Sequence, residues 1–240
     1  MPLRLRAVVF EAYDPARLAE FWARLLGRDV GDDASDGHLL AGSDAQLGLG
    51  FGSNRTERDG PNRLHLHLTS DGTDQQQTVE TALGLGARHV DVGQLPDEGH
   101  VVLADPEGNE FCVIEAGNAF LAGCGFLGEV TCEGTREVGL FWSAALDWPL
   151  VWDQDQETAV QSPRGGTKVS WGGETVVPEK TPDRQRFDLV STRDDHDAEV
   201  ARLIALGAVR LGAVDTGDDE DGVVALADPD GHEFSVRWSG

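Results

Sequence analysis

The sequence has little cysteine, and the arrangement of the few that occur excludes two kinds of small stabilised domain. Cys112, Cys124 and Cys132 are the only 3 in 240 residues, and no pair has the Cys-x-x-Cys spacing. An odd number argues against a disulfide framework, and the spacing argues against a zinc knuckle. We therefore expect reduced thiols.

The sequence also lacks long apolar runs. Charged side chains interrupt residues 1–20, and no later stretch approaches the length of a membrane span. We therefore expect no signal peptide, no membrane partner and a cytoplasmic location.

Basic side chains are scarce. There are 19 Lys and Arg against 43 Asp and Glu, which gives a formal net charge of -24. Such a surface repels polyanions, so we expect no nucleic-acid partner. The sequence also has no Gly-x-Ser-x-Gly elbow, phosphate loop, dinucleotide fingerprint or His-Glu-x-x-His motif.

What the sequence does contain is a duplication. Residues 104–111 (ADPEGNEF) return as residues 227–234 (ADPDGHEF). The helical stripe of Leu18, Phe21, Trp22, Leu25 and Leu26 returns 120 positions later. We expect two domains, 1–117 and 118–240, joined by a glycine-rich linker at 117–125.

Each half predicts two successive units of strand, helix and three strands. Asp14 and Pro15 have the types of an N-cap and a first helical residue, and Gly27 is a typical helix end. Trp22 and Trp142 lie in helical stripes and are predicted core residues. The repeated Asp-Pro-x-Gly predicts a tight turn in a hairpin. The expected class is α+β, with four βαβββ modules and the helices on one face of the sheets.

This ordered set of motifs resembles the vicinal oxygen chelate superfamily, in particular its glyoxalase-like and bleomycin-resistance-like branch. The resemblance implies two glyoxalase-like domains with curved mixed sheets around a cleft. It also implies metal ligands at three recurrent points in the strands of each half. Counting from the helix start and the hairpin turn places these points on the following residues: Ala7, His65 and Cys112 in the first half, and Leu127, Arg186 and Ser235 in the second.

Only one histidine occupies these six positions, whereas a divalent cation needs about three protein donors. We therefore expect no metal cofactor. The alternative is a divalent metal ion that has moved to His65, His67 and Glu110, or to Glu129 in place of Glu110.

Strand alternation predicts which side chains face the cleft. The candidate ligand-binding residues share that face or offer a flat apolar wall; they are His65, His67, Glu110, Cys112, Glu129, Arg186, Asp188, Ser235 and Trp171. Each type has a structural interpretation as well. The histidines suit a solvated strand face, Glu110 suits a hairpin hydrogen bond, and Arg186 suits a salt bridge to Asp188 or a neighbour.

The hypothesis from the sequence is a protein that binds a small organic molecule in a cleft without a catalytic metal. The alternative is a metal-dependent lyase, isomerase or dioxygenase of the same superfamily. Because duplication supplies two copies within one chain, a monomer is favoured over a homodimer. The loops at 52–62 and 177–185 are expected to shape the pocket.

Overall fold

The computed structural model describes residues 3–33, 37–53, 62–72, 74–95, 98–173, 184–192, 194–212 and 222–239. Most of the two loops expected to shape the pocket lies outside these residues. The elements of the first half are β1 (Arg4–Ala12), α1 (Pro15–Leu26), β2 (Gly31–Asp33), β3 (Gly37–Leu40), β4 (Gly48–Ser53), β5 (Leu64–Leu68), α2 (Gln75–Leu85), β6 (Arg88–His89), β7 (Val101–Ala104) and β8 (Glu110–Val113).

The second half repeats this order. Its elements are β9 (Leu127–Glu133), α3 (Arg136–Leu146), β10 (Leu150–Gln154), β11 (Glu157–Gln161), β12 (Lys168–Gly172), β13 (Gln185–Thr192), α4 (His196–Leu206), β14 (Val209–Arg210), β15 (Val223–Ala227) and β16 (Glu233–Ser239). The four predicted βαβββ modules are therefore confirmed as modules 1 to 4. No helix in the described ranges is long and apolar enough to cross a membrane.

The first helix begins and ends where the sequence predicts. The Asp14 side chain accepts a hydrogen bond from the backbone N–H of Arg17 at 3.0 Å, and Pro15 is the first helical residue. Gly27 ends the helix with φ +64°, a left-handed conformation that glycine adopts without strain. Local side-chain chemistry alone therefore accounts for both ends of α1.

Each of the two sheets has eight strands and is built from two modules, one from each half of the chain. The first sheet has the order β14-β15-β16-β13-β1-β4-β3-β2 and joins modules 1 and 4. The second has the order β10-β11-β12-β9-β5-β8-β7-β6 and joins modules 2 and 3. Each sheet therefore combines strands from both halves of the chain, and the division near residue 117 remains a prediction.

The helices cover one face of each sheet, and the opposite face is called here the open face. Trp22 on α1 and Trp142 on α3 are core residues, as predicted, with exposures of 0% and 1%. Their rings pack edge-on against Phe111 and Phe234, with centroids 5.0 Å apart in both cases. The core is therefore built twice with the same aromatic pair.

The repeated Asp-Pro-x-Gly segment closes a hairpin in both halves, as predicted. The N–H of Gly108 donates to the carbonyl of Asp105 at 2.9 Å, and Gly231 donates to Asp228 at 2.9 Å. Gly108 has φ +88°, which explains why glycine occupies the fourth position.

Candidate ligand-binding site

Three polar side chains lie next to each other at the centre of the open face of the second sheet. In the strand register, His67 on β5 is the partner of Glu129 on β9 and of Cys112 on β8. Leu66 and Leu68 are buried in the core, so alternation turns His67 to the open face. The Nδ1 atom of His67 and the Oε2 atom of Glu129 are 2.7 Å apart. Three candidates from the sequence are thus brought together.

The His67–Glu129 contact is an ion pair. Burial by itself lowers the pKa of His67, but hydrogen bonds to Cys112 and Glu129 and the charge of Glu129 raise the pKa to about 10. Burial raises the pKa of Glu129, but the hydrogen bond and charge of His67 bring that pKa below its ordinary value. At neutral pH an imidazolium therefore faces a carboxylate.

The residue beside His67 on β9 lies two positions after Leu127, the position counted for a metal ligand. The register passes from His67↔Glu129 to Leu68↔Leu127, so Gly128 is an extra residue that forms a β-bulge. Leu127 consequently lies in the core, and Glu129 occupies the place beside His67. The counting also selected His65, whereas His67 lies between Glu129 and Cys112.

This cluster does not fit a metal ion. Two ligand atoms that bind one zinc at 2.0–2.1 Å lie about 3.3 Å apart in tetrahedral geometry, whereas Nδ1 of His67 and Oε2 of Glu129 are at hydrogen-bonding distance, 2.7 Å. In the part of the chain that the structure describes, no three His, Cys, Asp or Glu residues form a group that could hold a metal. The alternative set of His65, His67 and Glu110 is therefore not such a group.

A cleft of about 460 Å³ lies beside the ion pair, over β9, β12 and β11. Phe120 and Trp152 form its apolar wall, with ring centroids 5.9 Å apart and planes at 80°. Its polar lining includes His65, Thr131 and Ser170.

Carboxylates give the cleft its charge. Glu129, Glu133 and Glu157 line it, and no lysine or arginine is among its described lining residues, although the ammonium of Lys168 lies against the Phe120 ring from outside the lining. Since Glu129 interacts with His67 and Lys168, the other two carboxylates give the lining its net negative charge. Alternation along β9 places Glu133 on the same face as Glu129 and would have identified it as a residue of the cleft lining. Phe120 lies in the predicted linker, where no period in the sequence indicates that it lines the cleft.

Trp171 was expected to form a flat apolar wall of the cleft. It borders the cleft, but from a buried position, with only 1% of its side chain exposed. Its indole stacks on Trp142 with centroids 6.2 Å apart and planes at 6°. The physical reason is the period of β12, which directs Ser170 to the open face and Trp171 beneath α3.

The remaining candidates from the second half lie on the first sheet, where they are held by ion pairs. Asp188 is fully buried, and its carboxylate accepts hydrogen bonds from Arg6, Arg237 and Ser235, each at 2.8 Å. Arg186 pairs at 2.5 Å with Glu11.

The predicted set is thus divided between two sheets. Glu110 and Cys112 lie with the histidines on the second sheet, whereas Arg186, Asp188 and Ser235 lie on the first. Sequence reasoning missed Arg6 and Arg237, the two cations that share Asp188.

A family model described as a glyoxalase-like domain matches residues 7–114 and 129–237. The chain belongs to the glyoxalase-like domain family. The predicted membership of the vicinal oxygen chelate superfamily is therefore confirmed. Among proteins of curated function, none matches the sequence.

Solved structures share the glyoxalase-like fold across almost the entire chain. Glyoxalase I from Zea mays is 15% identical, with a TM-score of 0.65, and the match covers 98% of this chain and 92% of that one. A putative dioxygenase from Bacillus subtilis subsp. subtilis str. 168 is 12% identical, with a TM-score of 0.62 and coverages of 98% and 84%. At such low identity these similarities show the fold alone.

Proposed function

We propose that the protein binds a small organic cation with a planar apolar part in the cleft of the second sheet. The observation that carries this proposal is the lining of the cleft, in which two aromatic rings stand beside carboxylates. A volume of about 460 Å³ suits a ligand of ordinary drug-like size. An aromatic wall beside negative charge is the usual environment for an amine or quaternary ammonium group.

The charges inside the cleft favour a cation over an anion. The His67 imidazolium compensates Glu129, which leaves Glu133 and Glu157 to act on a ligand. The formal charge of -24 on the whole chain acts in the same direction, because it attracts cations from solution.

The aromatic wall is held in place from within. The ammonium of Lys168 lies 4.2 Å from the centroid of the Phe120 ring and donates a hydrogen bond to the carbonyl of Phe120. Trp152, which is 38% exposed, offers its ring to a ligand. An indole is the best cation–π acceptor among the side chains.

The test is calorimetric titration with an arylalkyl amine, a matched quaternary ammonium compound and a neutral compound of the same shape. The cations are expected to bind and the neutral compound to bind at least tenfold more weakly, as about 1.4 kcal/mol of charge interaction implies. Trp152→Ala and Glu133→Gln are expected to weaken cation binding. Glu137→Gln, an exposed change of the same charge on α3, is the control. Equal affinity for the neutral compound, or no loss in Trp152→Ala, would contradict the proposal.

We further propose that ligand binding needs no metal, since the donors around His67 form an ion pair instead of a coordination shell. Dialysis against a chelator should leave the affinity unchanged. About one equivalent of zinc, nickel, manganese or iron per chain, lost together with ligand binding in His67→Ala, would favour the metal-dependent lyase, isomerase or dioxygenase instead.

We also propose that the protein is a monomer. Both eight-stranded sheets form within one chain, so no second copy is needed to complete either one. Light scattering coupled to size-exclusion chromatography tests this, and a mass of twice 25.8 kDa would contradict it.

A further inference from the structure

A second cavity lies where module 1 meets module 3, and it is called here the seam cavity. It has a volume of about 290 Å³. The loop before β4 forms one side, and residues 162–169 form the other. The N–H of Thr167 donates to the carbonyl of Ala45 at 3.0 Å, which holds the two sides together.

The charge of the seam cavity is opposite to that of the whole protein. Arg4, Arg6 and Arg164 line it, and Asp44 is the one acidic residue among its described lining residues. Acidic side chains outnumber basic ones 43 to 19 in the chain, so three arginines around one cavity are a local inversion of charge. Asp44 weakens it little, because Asp44 is 84% exposed and 3.8 Å from Arg164.

Arg6 is held in position by a buried carboxylate. Asp188 accepts hydrogen bonds from Arg6 and from Arg237, so within this trio two positive charges face one negative charge. The side chain of Arg6 is 19% exposed, while Asp188 is fully buried behind it. A guanidinium fixed in this way loses little conformational entropy when it binds an anion.

Two hydroxyl groups add hydrogen-bond donors. The Oγ of Ser43 accepts the backbone N–H groups of Ala45 and Gln46 at 3.2 and 3.1 Å. The Oγ of Ser162 accepts the N–H of Arg164 at 3.2 Å. Both serines line the cavity, and a hydroxyl that accepts in this way can still donate its own proton.

We propose that the seam cavity binds a small oxyanion, either phosphate or the carboxylate group of a small acid, between Arg4, Arg6 and Arg164. Guanidinium forks and hydroxyl donors match the lone pairs of such an anion, and charge-assisted hydrogen bonds of this type are strong. The site is separate from the cleft of the second sheet and has the opposite charge preference. Its failure would therefore leave the proposed cation binding untouched.

The test is isothermal titration of the full-length protein with inorganic phosphate and, separately, with malonate, against sodium chloride of equal ionic strength. Saturable binding of phosphate alone identifies a phosphate site, saturable binding of malonate alone identifies a carboxylate site, and saturable binding of both identifies a site that accepts either oxyanion. Either result supports the proposal. Heats that do not saturate, or that chloride reproduces, overturn it.

Variants distinguish a built site from general attraction to charge. Arg4→Ala and Arg164→Ala are each expected to weaken anion binding about tenfold, the effect of losing one charge-assisted hydrogen bond. Arg24→Ala removes an arginine that is 65% exposed on α1 and outside the cavity, and it should bind like the wild type. Equal weakening in all three variants would overturn the proposal.

A variant with increased affinity completes the test, since a loss of folding cannot produce a gain. Asp44→Asn removes the acidic residue of the lining while keeping its shape. Oxyanion binding should become about twofold tighter, because the lost repulsion from this exposed carboxylate is on the order of 0.4 kcal/mol. Unchanged or weaker binding in a folded Asp44→Asn protein would count against the seam cavity as the site.

Discussion

Trp22 and Asp105 form a buried hydrogen bond that ties α1 to the hairpin of the following module. The indole Nε1–H donates to Oδ2 of Asp105 at 3.2 Å, and the second half repeats the contact between Trp142 and Asp228 at 3.1 Å. Asp105 also accepts the backbone N–H of Glu107 at 2.9 Å. The aspartate of the repeated motif therefore shapes the turn and anchors the neighbouring helix at the same time.

These two carboxyl groups are expected to make a contribution to stability that falls as the pH rises from acidic to neutral. Burial raises the pKa of Asp105 and of Asp228 to about 6, although hydrogen bonds to both carboxylates act against this rise. The folded state therefore holds protons that the unfolded state releases near pH 3.8. The contribution of each group is complete below that pH and is lost as the pH rises through about 6, by roughly 3 kcal/mol per group.

Urea unfolding at several pH values tests this for Asp105. As the pH rises from 3.8 to about 6, the free energy of unfolding of Asp105→Asn should fall less steeply than that of the wild type. Asp44→Asn, a change at an exposed site, should keep the wild-type slope. A slope unchanged by Asp105→Asn would show that the Asp105 carboxyl does not titrate in this window.

Asp188→Asn is expected to destabilise the protein strongly. The change removes the buried carboxylate charge that pairs with both Arg6 and Arg237. Breaking a buried ion pair from one side typically costs about 3–5 kcal/mol. The measurement is the midpoint of chemical unfolding. Asp153→Asn is the control, because its pair with Arg136 lies at the surface and should matter little.

The His67–Glu129 pair predicts an imidazole that stays protonated well above neutral pH. A pKa raised to about 10 means that this pair stabilises the fold fully between pH 4.5 and pH 6.5, the ordinary pKa values of the two groups. The contribution is lost as the pH rises through about 10, and it is also lost at acidic pH as Glu129 takes up a proton. NMR titration of the His67 ring carbons measures this directly. Glu129→Gln should lower the pKa, whereas Glu133→Gln on the same strand should affect it far less. A wild-type pKa near 6.5 would refute the ion pair.

Two neighbouring glycines are expected to differ in their tolerance of alanine. Gly165 and Gly166 both have positive φ, at +80° and +89°. A Cβ on Gly166 would lie 1.8 Å from the carbonyl oxygen of Ala45, whereas a Cβ on Gly165 meets nothing within 4 Å. Gly165→Ala should cost about 1–2 kcal/mol of backbone strain. Gly166→Ala should cost clearly more, because modules 1 and 3 must separate there. Equal melting temperatures would contradict this close approach.

Much of the local structure could be predicted because its causes are local. The side chain of Asp14, the ring of Pro15 and the missing Cβ of Gly27 act within one or two turns of α1. The same holds for the Asp-Pro-x-Gly turns and for the alternation that directs His65 and His67 to one face. The position of the edge strand β2 was not located from the sequence, since its three residues are too few to show a period.

The site could be predicted only in part, because its geometry depends on contacts between distant segments. Glu129 joins His67 through a bulge at Gly128, and counting along the chain cannot detect an inserted residue. Trp171 lines the cleft from a buried position, which the sequence did not indicate. Phe120 reached the cleft from a linker whose composition gave no indication of a role.

By itself, the sequence determined that this protein consists of four modules of one design, because residue order and spacing carry that information directly. Only the tertiary structure decided that module 1 pairs with module 4 and module 2 with module 3. Backbone hydrogen bonds between central strands are chemically alike in either pairing, so the choice rests on the packing of whole modules. With this pairing, the open face of the second sheet carries a cleft lined by carboxylates and aromatic rings, and the first sheet carries the ion pairs around Asp188.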